Sequence, residues 1–183
     1  MSKLFKISFF SLLFFCIGNA VFAQEIKLKW LSFEEMQAAQ QKQAKKVLVI
    51  VSADWSDWCK TLEKETLGQI KIAAYLNKNY YLVNFKPEDA EIVKFKGKTY
   101  DIKKYKYTNS DKTRKVNALA VELIDVDFIF PSLIFLNEKL DKISVFKGYK
   151  NAKDIDPILS FFASNSYLKQ KWSAYSKTYK SIL

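Results

Sequence analysis

The sequence predicts an α/β fold: a central mixed sheet flanked by helices, with an inserted small hairpin and an extra C-terminal helix. Three observations carry this. "KVLVIVSA" (46–53) and "YYLVNFK" (80–86) are near-continuous apolar runs, the pattern of strands buried on both faces. A stretch with helical periodicity separates them, as the alternation of an α/β chain with a parallel component requires. Two strand-like runs then follow one another late in the chain and supply an antiparallel edge. A chain of 183 residues with 49% hydrophobic content is long enough for one domain with a real core.

The elements follow in order. "EIKLKWL" (25–31) alternates like a short strand. Ser32 and Glu35 form a capping box ahead of the helix-forming "FEEMQAAQQKQAKK". After the first buried strand, Trp58, Leu62, Leu67, Ile70, Ala73, Ala74 and Leu76 recur at helical spacing. "IVKFKGKTYDI" (92–102) alternates around Lys96-Gly97-Lys98, which suggests the hairpin. "DKTRKVNALAVELI" (111–124) reads as a helix. "FIFPSLIFLN" is a strand led in by Pro131, and "DKISVFKGY" is the next, ending in a glycine turn at Gly148. "NAKDIDPILSFFAS" (151–164) is a helix with Asn151 as its cap. The last segment places Leu168, Trp172, Tyr175, Tyr179 and Ile182 on one helical face, an extension over about residues 166–183 whose stripe packs on its own domain.

The N-terminus reads differently. Lys3 and Lys6 precede an apolar run from Ile7 to Ile17, then "GNAVFA" with short side chains at Val21 and Ala23. This is the pattern of a signal peptide over residues 1–23, cleaved after Ala23, leaving a domain over 24–183 in the periplasm or outside the cell. The run is shorter than the about 20 residues of a membrane-spanning helix, so removal of the signal leaves no transmembrane anchor. Leu13-Phe14-Phe15 before Cys16 argues against lipid attachment there, which needs a small preceding residue.

Cleavage removes Cys16 and leaves one thiol, Cys59. The mature chain therefore has no internal disulfide, and its lone cysteine is either buried or reactive towards other molecules. The chain has no histidine, which excludes Cys-His and Ser-His catalysis and any imidazole metal site.

Cys59 stands in "DWSDWCK" (54–60), where the buried strand meets the next helix. That junction, with the proline opening a later strand, resembles the thioredoxin fold. More narrowly, it resembles exported bacterial thioredoxin-like proteins whose site reads Asp-Trp-Cys-Gly-Trp-Cys-Lys. "DWSDWCKTLEKETL" (54–67) and "PSLIFLNEKLDKISVFKGY" (131–149) carry the resemblance over nearly the whole mature chain, and "FKGKTYDI" and "YLKQKWSAY" look like features of one subgroup. The resemblance implies a cis bond at Phe130–Pro131 beside the helix that carries Cys59. It also implies a peptide-binding border made by Trp55, Asp57, Trp58, Phe130, Pro131 and Ser132. Two departures fall in the motif: the attacking cysteine is Ser56, and the usual glycine is Asp57.

Disulfide exchange needs an attacking thiolate and a second thiol that resolves the mixed disulfide. A serine hydroxyl is a poor substitute, and the chain has no histidine to take its proton. Ser56 suits instead a helix N-cap, accepting from the amide of Trp58 or Cys59. Asp57 opposes a nearby thiolate while Lys60 favours one, so Cys59 is expected to be poorly activated and partly shielded. Two readings of Cys59 stand. It is a small buried hydrophobe left from an ancestral pair, or it performs monothiol exchange with glutathione, a partner protein or a second copy through a Cys59–Cys59 bridge.

Other constellations add little chemistry. Residues 94–115 carry nine Lys/Arg with interleaved aromatics. Arg114 is the chain's sole arginine, and arginine supplies the usual bidentate base contacts, so no nucleic acid is expected and a solvated lysine-rich surface is the simpler reading, with attraction to anionic envelope surfaces standing beside it. Glu63, Glu65, Glu88, Asp89 and Glu91 lack metal-like spacing, and no phosphate-cradling glycine loop occurs; no metal or cofactor is expected. The functional expectation is an exported protein with a degenerate S-x-x-C site, serving as a non-catalytic binding or structural relative. The alternative is monothiol thiol–disulfide exchange through Cys59 in envelope redox homeostasis, with an envelope protein or a small thiol as partner.

Overall fold

The computed structural model describes residues 26–106 and 111–183; the export signal read over residues 1–23 lies outside them. In chain order the elements are α1 (Phe33–Lys42), β1 (Lys46–Val51), α2 (Asp57–Thr61), a π-helical turn (Leu62–Leu67), α3 (Ile70–Asn79) and β2 (Tyr80–Phe85). There follow β3 (Ile92–Phe95), β4 (Lys98–Lys106), β5 (Thr113–Asn117), α4 (Leu119–Ile124), β6 (Ser132–Leu136), β7 (Lys142–Lys147), α5 (Ala152–Ala163), a 3₁₀ turn (Ser166–Leu168) and α6 (Trp172–Thr178).

The main sheet has the order β2-β1-β6-β7. β2 is parallel to β1, while β6 and β7 each run antiparallel to the strand before them in the sheet. Helices cover both faces, so β1 is buried along its whole length. Its side chains alternate between two cores, as the strand period demands. Val47, Val49 and Val51 join Phe33, Met36 and Leu119 on one face; Leu48 and Ile50 join Leu62, Ile72 and Leu159 on the other. Lys46, at the head of the strand, is buried with its charge satisfied: Nζ lies 2.7 Å from Glu138 Oε1 and 2.6 Å from Asn165 Oδ1.

Ser32 caps α1 by the reciprocal box its sequence promises, accepting from the Glu35 amide while the Glu35 carboxylate accepts from its own. The helical stretch after the site is interrupted. Gly68 closes the π-helical turn with a bond from its amide to the Glu63 carbonyl, five residues back. A Cβ at Gly68 would sit 2.9 Å from the Lys64 carbonyl oxygen, so only glycine fits that closure.

Four elements differ from the sequence-based expectation. Of the strand expected over 25–31, the described residues 26–31 form only a single bridge, from Trp30 to Leu82 on the β2 edge. The small hairpin is real, turning at Lys96 and Gly97 with left-handed φ values of 49° and 76°, but β5 joins it to make a three-stranded antiparallel sheet. The helix read over 111–124 is therefore strand over 113–117 and helix only from 119, because pairing with β4 outweighs the local preference of "TRKVN". The C-terminal extension is a 3₁₀ turn and a seven-residue helix; Tyr175 is buried, Leu168 is exposed, and Tyr179 and Ile182 pack from irregular chain beyond the helix.

Candidate functional site

The site begins where β1 leaves the sheet and the chain turns into α2. Ser56 is extended (φ −86°, ψ 112°), the backbone of a helix N-cap, which sets its Oγ to accept from the Cys59 amide at 3.4 Å. Both members of the S-x-x-C pair are buried, Ser56 at 6% exposure and Cys59 at 8%. Asp57 is fully in solvent, 3.4 Å from Lys60 Nζ, an exposed pair of small energetic weight. Cys59 packs in the first core with Ala53. It also lines a cavity of about 140 Å³ with Ser52, Asn84, Lys60 and Lys86, where Ser52 Oγ donates to Asn84 Oδ1 at 2.6 Å. Lys86 closes on Asp54 at 2.6 Å, and that bond raises its pKa.

Trp55 and Trp58 flank the turn at 58% and 61% exposure. They have different partners. Trp55 meets the Phe130 ring edge-on at 5.8 Å and donates its indole N–H to Glu88 Oε2 at 2.6 Å. The Arg114 guanidinium lies 4.7 Å from the Trp55 centroid and 5.7 Å from that of Phe130, and its Nη1 is 3.1 Å from Glu88 Oε1. Trp58 turns the other way and rests on Tyr149 at 5.4 Å.

The Phe130–Pro131 bond is cis. The Pro131 carbonyl accepts from the Gly148 amide at 2.8 Å; Gly148 adopts φ 82°, a left-handed value that suits glycine, and so turns the chain from β7 towards Tyr149. Ser132 is fully buried and its hydroxyl donates to the Ile129 carbonyl at 2.6 Å, so its side chain holds the loop and offers nothing outward. Ile129, by contrast, is exposed.

Of the residues expected at the site, Trp55, Ser56 and Cys59 come together with Phe130 through the Trp55 contact. Trp58 and Asp57 are exposed, Trp58 against Tyr149, while Ser132 is buried with its hydroxyl on the Ile129 carbonyl. Sequence reasoning missed Arg114, Glu88 and Tyr149. The sequence pattern puts Arg114 inside a helix; the period-two pattern of Arg114 and Val116 against Lys115 is the signal for the strand that forms.

The chemistry open to this arrangement is narrow. Ser56 Oγ is engaged with an amide and has no imidazole to activate it. Cys59 is the one free cysteine among the described residues. No group of three potential metal ligands occurs among them, and no described helix is long and apolar enough to cross a membrane.

A model of the thioredoxin-like domain family matches residues 33–163. No curated protein matches the sequence. Among solved structures the chain is similar to a thioredoxin-fold protein from Helicobacter pylori, at 17% identity and a TM-score of 0.48 over 73% of this chain and 79% of that one. It is also similar to the DsbH oxidoreductase, at 13% identity and 0.47 over 85% and 88%. A third likeness is to a disulphide isomerase from Xylella fastidiosa Temecula1, at 16% identity and 0.40 over 79% and 86%.

Proposed function

We propose that this chain, which belongs to the thioredoxin-like domain family, is an exported relative that has given up the dithiol cycle and holds an extended peptide or partner protein at its former redox site. One observation carries the reading: the S-x-x-C pair is a buried helix cap and a buried thiol, at 6% and 8% exposure. Neither position offers the exposed thiolate with which exchange begins, and Ser56 cannot resolve a mixed disulfide. The exposed Trp55, Trp58 and Ile129 are the side chains that suit a binding border, since large apolar groups at the surface supply most of the energy of an interface. The Asp-Trp-x-x-Trp-Cys-Lys resemblance and the signal-like pattern of residues 1–23 support, in this reading, an exported protein in the periplasm or outside the cell.

The cavity beside Cys59 favours a second reading, in which the Cys59 thiolate attacks a small disulfide seated there, expels one of its two thiols, and is freed from the resulting mixed disulfide by an external thiol. Native-state labelling of Cys59 with a thiol probe separates the two. The binding reading expects the thiol to be protected until denaturant is added. Labelling of the folded protein at a rate near that of the unfolded chain, or insulin reduction that disappears in Cys59→Ala, would overturn it in favour of exchange.

A further inference from the structure

The antiparallel pairing of β4 and β5 runs from Ile102↔Asn117 to Lys106↔Thr113. Alternation gives this two-stranded arm two faces of different character. Tyr105, Arg114 and Val116 share the inward one, where they meet Phe128, Trp55 and the core. Ile102, Lys104, Lys106 and Lys115 share the other with Asn117, which is buried at its base; the four are exposed, and Lys106 is paired with Asp111 at 2.6 Å. Lys104 and Lys115 stand directly opposite each other across the strands. Like charges in that position repel, and no ion pair among the described residues involves either lysine.

An uncompensated cross-strand repulsion on an open face is relieved by negative charge from outside the molecule. The character of the face says which kind. Its cations are all lysines, point charges without the planar fork by which arginine grips one fixed carboxylate or phosphate, so they suit diffuse and mobile charge. Ile102, 37% exposed, stands two residues before Lys104 on the same face and adds an apolar contact beside the cations. The chain's net charge of +11, which loses two with the lysines of the signal, attracts an anionic surface beyond contact range. We infer that the outward face of the β4–β5 arm docks the protein on a bilayer containing anionic lipids. The proposal is independent of any peptide held at the Trp55 site.

The test is co-sedimentation of the mature protein (residues 24–183) with phosphatidylcholine vesicles, with and without phosphatidylglycerol. Binding is expected only to the anionic vesicles, lost in about 1 M salt where screening is nearly complete, and weakened at least about tenfold in K104E/K115E. The single variant Lys104→Glu faces Lys115 with an opposite charge, so its thermal midpoint should rise while its vesicle binding falls; a folding defect would lower both. Equal binding to neutral vesicles, no binding to anionic ones, or unchanged binding in K104E/K115E overturns the proposal. Retention on heparin without vesicle binding overturns it too, and reassigns the face to a polyanionic chain.

Discussion

Glu88 is shared by Arg114 and Trp55: one carboxylate oxygen is 3.1 Å from the guanidinium, the other accepts the indole N–H at 2.6 Å, and the guanidinium lies over the indole ring. The inserted sheet, which carries Arg114 on β5, thereby fixes the orientation of the tryptophan that opens the site.

Arg114→Ala should therefore loosen Trp55 without unfolding the protein. The ring stacking and the partly exposed pair together predict a loss of about 1–2 kcal/mol, read from urea unfolding, with a weaker near-ultraviolet dichroism of tryptophan. Arg114→Lys keeps the charge but not the flat stack, and should recover less than half of the dichroism. Full recovery by lysine would show that the stack contributes nothing.

Ser56→Cys returns a second thiol to the cap position. The variant is expected to oxidise to a 56–59 disulfide and to reduce insulin, which the natural sequence should not do. Replacing the cap should cost about 1 kcal/mol in the reduced state. An oxidised variant with no reductase activity would show that the loss lies beyond Ser56, with Asp57 the next residue to revert to glycine.

Alkaline pH should weaken the fold. Burial, then its bond to Glu122, pushes the Tyr100 hydroxyl up to about 12. Burial, then Asp156, raises Tyr179, and burial raises Tyr80. Unfolded tyrosine releases its proton near pH 10. Above that point the folded state holds more protons than the unfolded one, so stability falls as pH rises. The urea midpoint should be flat below about pH 10 and decline towards 12, with a shallower decline in Tyr100→Phe. A midpoint that rises across this window would contradict the assignment.

Asp156 anchors the C-terminal tail. It is a buried carboxyl on α5 that accepts from Tyr179 and Ser181, each at 2.5 Å. Asp156→Ala leaves both hydroxyls without their acceptor and should cost about 2–3 kcal/mol. Tyr179→Phe should cost less and expose the tail to limited proteolysis beyond Thr178. Unchanged proteolysis in both variants would show that the apolar contacts of Tyr175 and Ile182 hold the tail alone.

The main sheet and its helices were legible because their signals are local: near-continuous apolar runs at 46–51 and 80–85, a capping box at Ser32, a cap at Asn151. The cap role of Ser56 was legible for the same reason. What escaped depends on partners distant in sequence. "TRKVN" becomes strand only because β4 lies beside it, and Arg114 reaches the site only through that pairing. Glu88 carried no motif of its own, since its role is defined by Trp55, thirty-three residues earlier in the chain. Ser132 shows the converse limit: sequence placed it at the site's edge, but its hydroxyl is turned into its own loop.

The sharing of β1 between two cores bears on how the molecule comes apart. Val49 and Ile50 are adjacent in sequence yet belong to opposite hydrophobic clusters. A slip of one residue would exchange every one of those assignments at once, placing valines where leucine-sized cavities wait and the reverse. Neither half can melt and leave the other its central strand. The amides of β1 should consequently exchange with deuterium only by global opening, and calorimetry should record one cooperative transition.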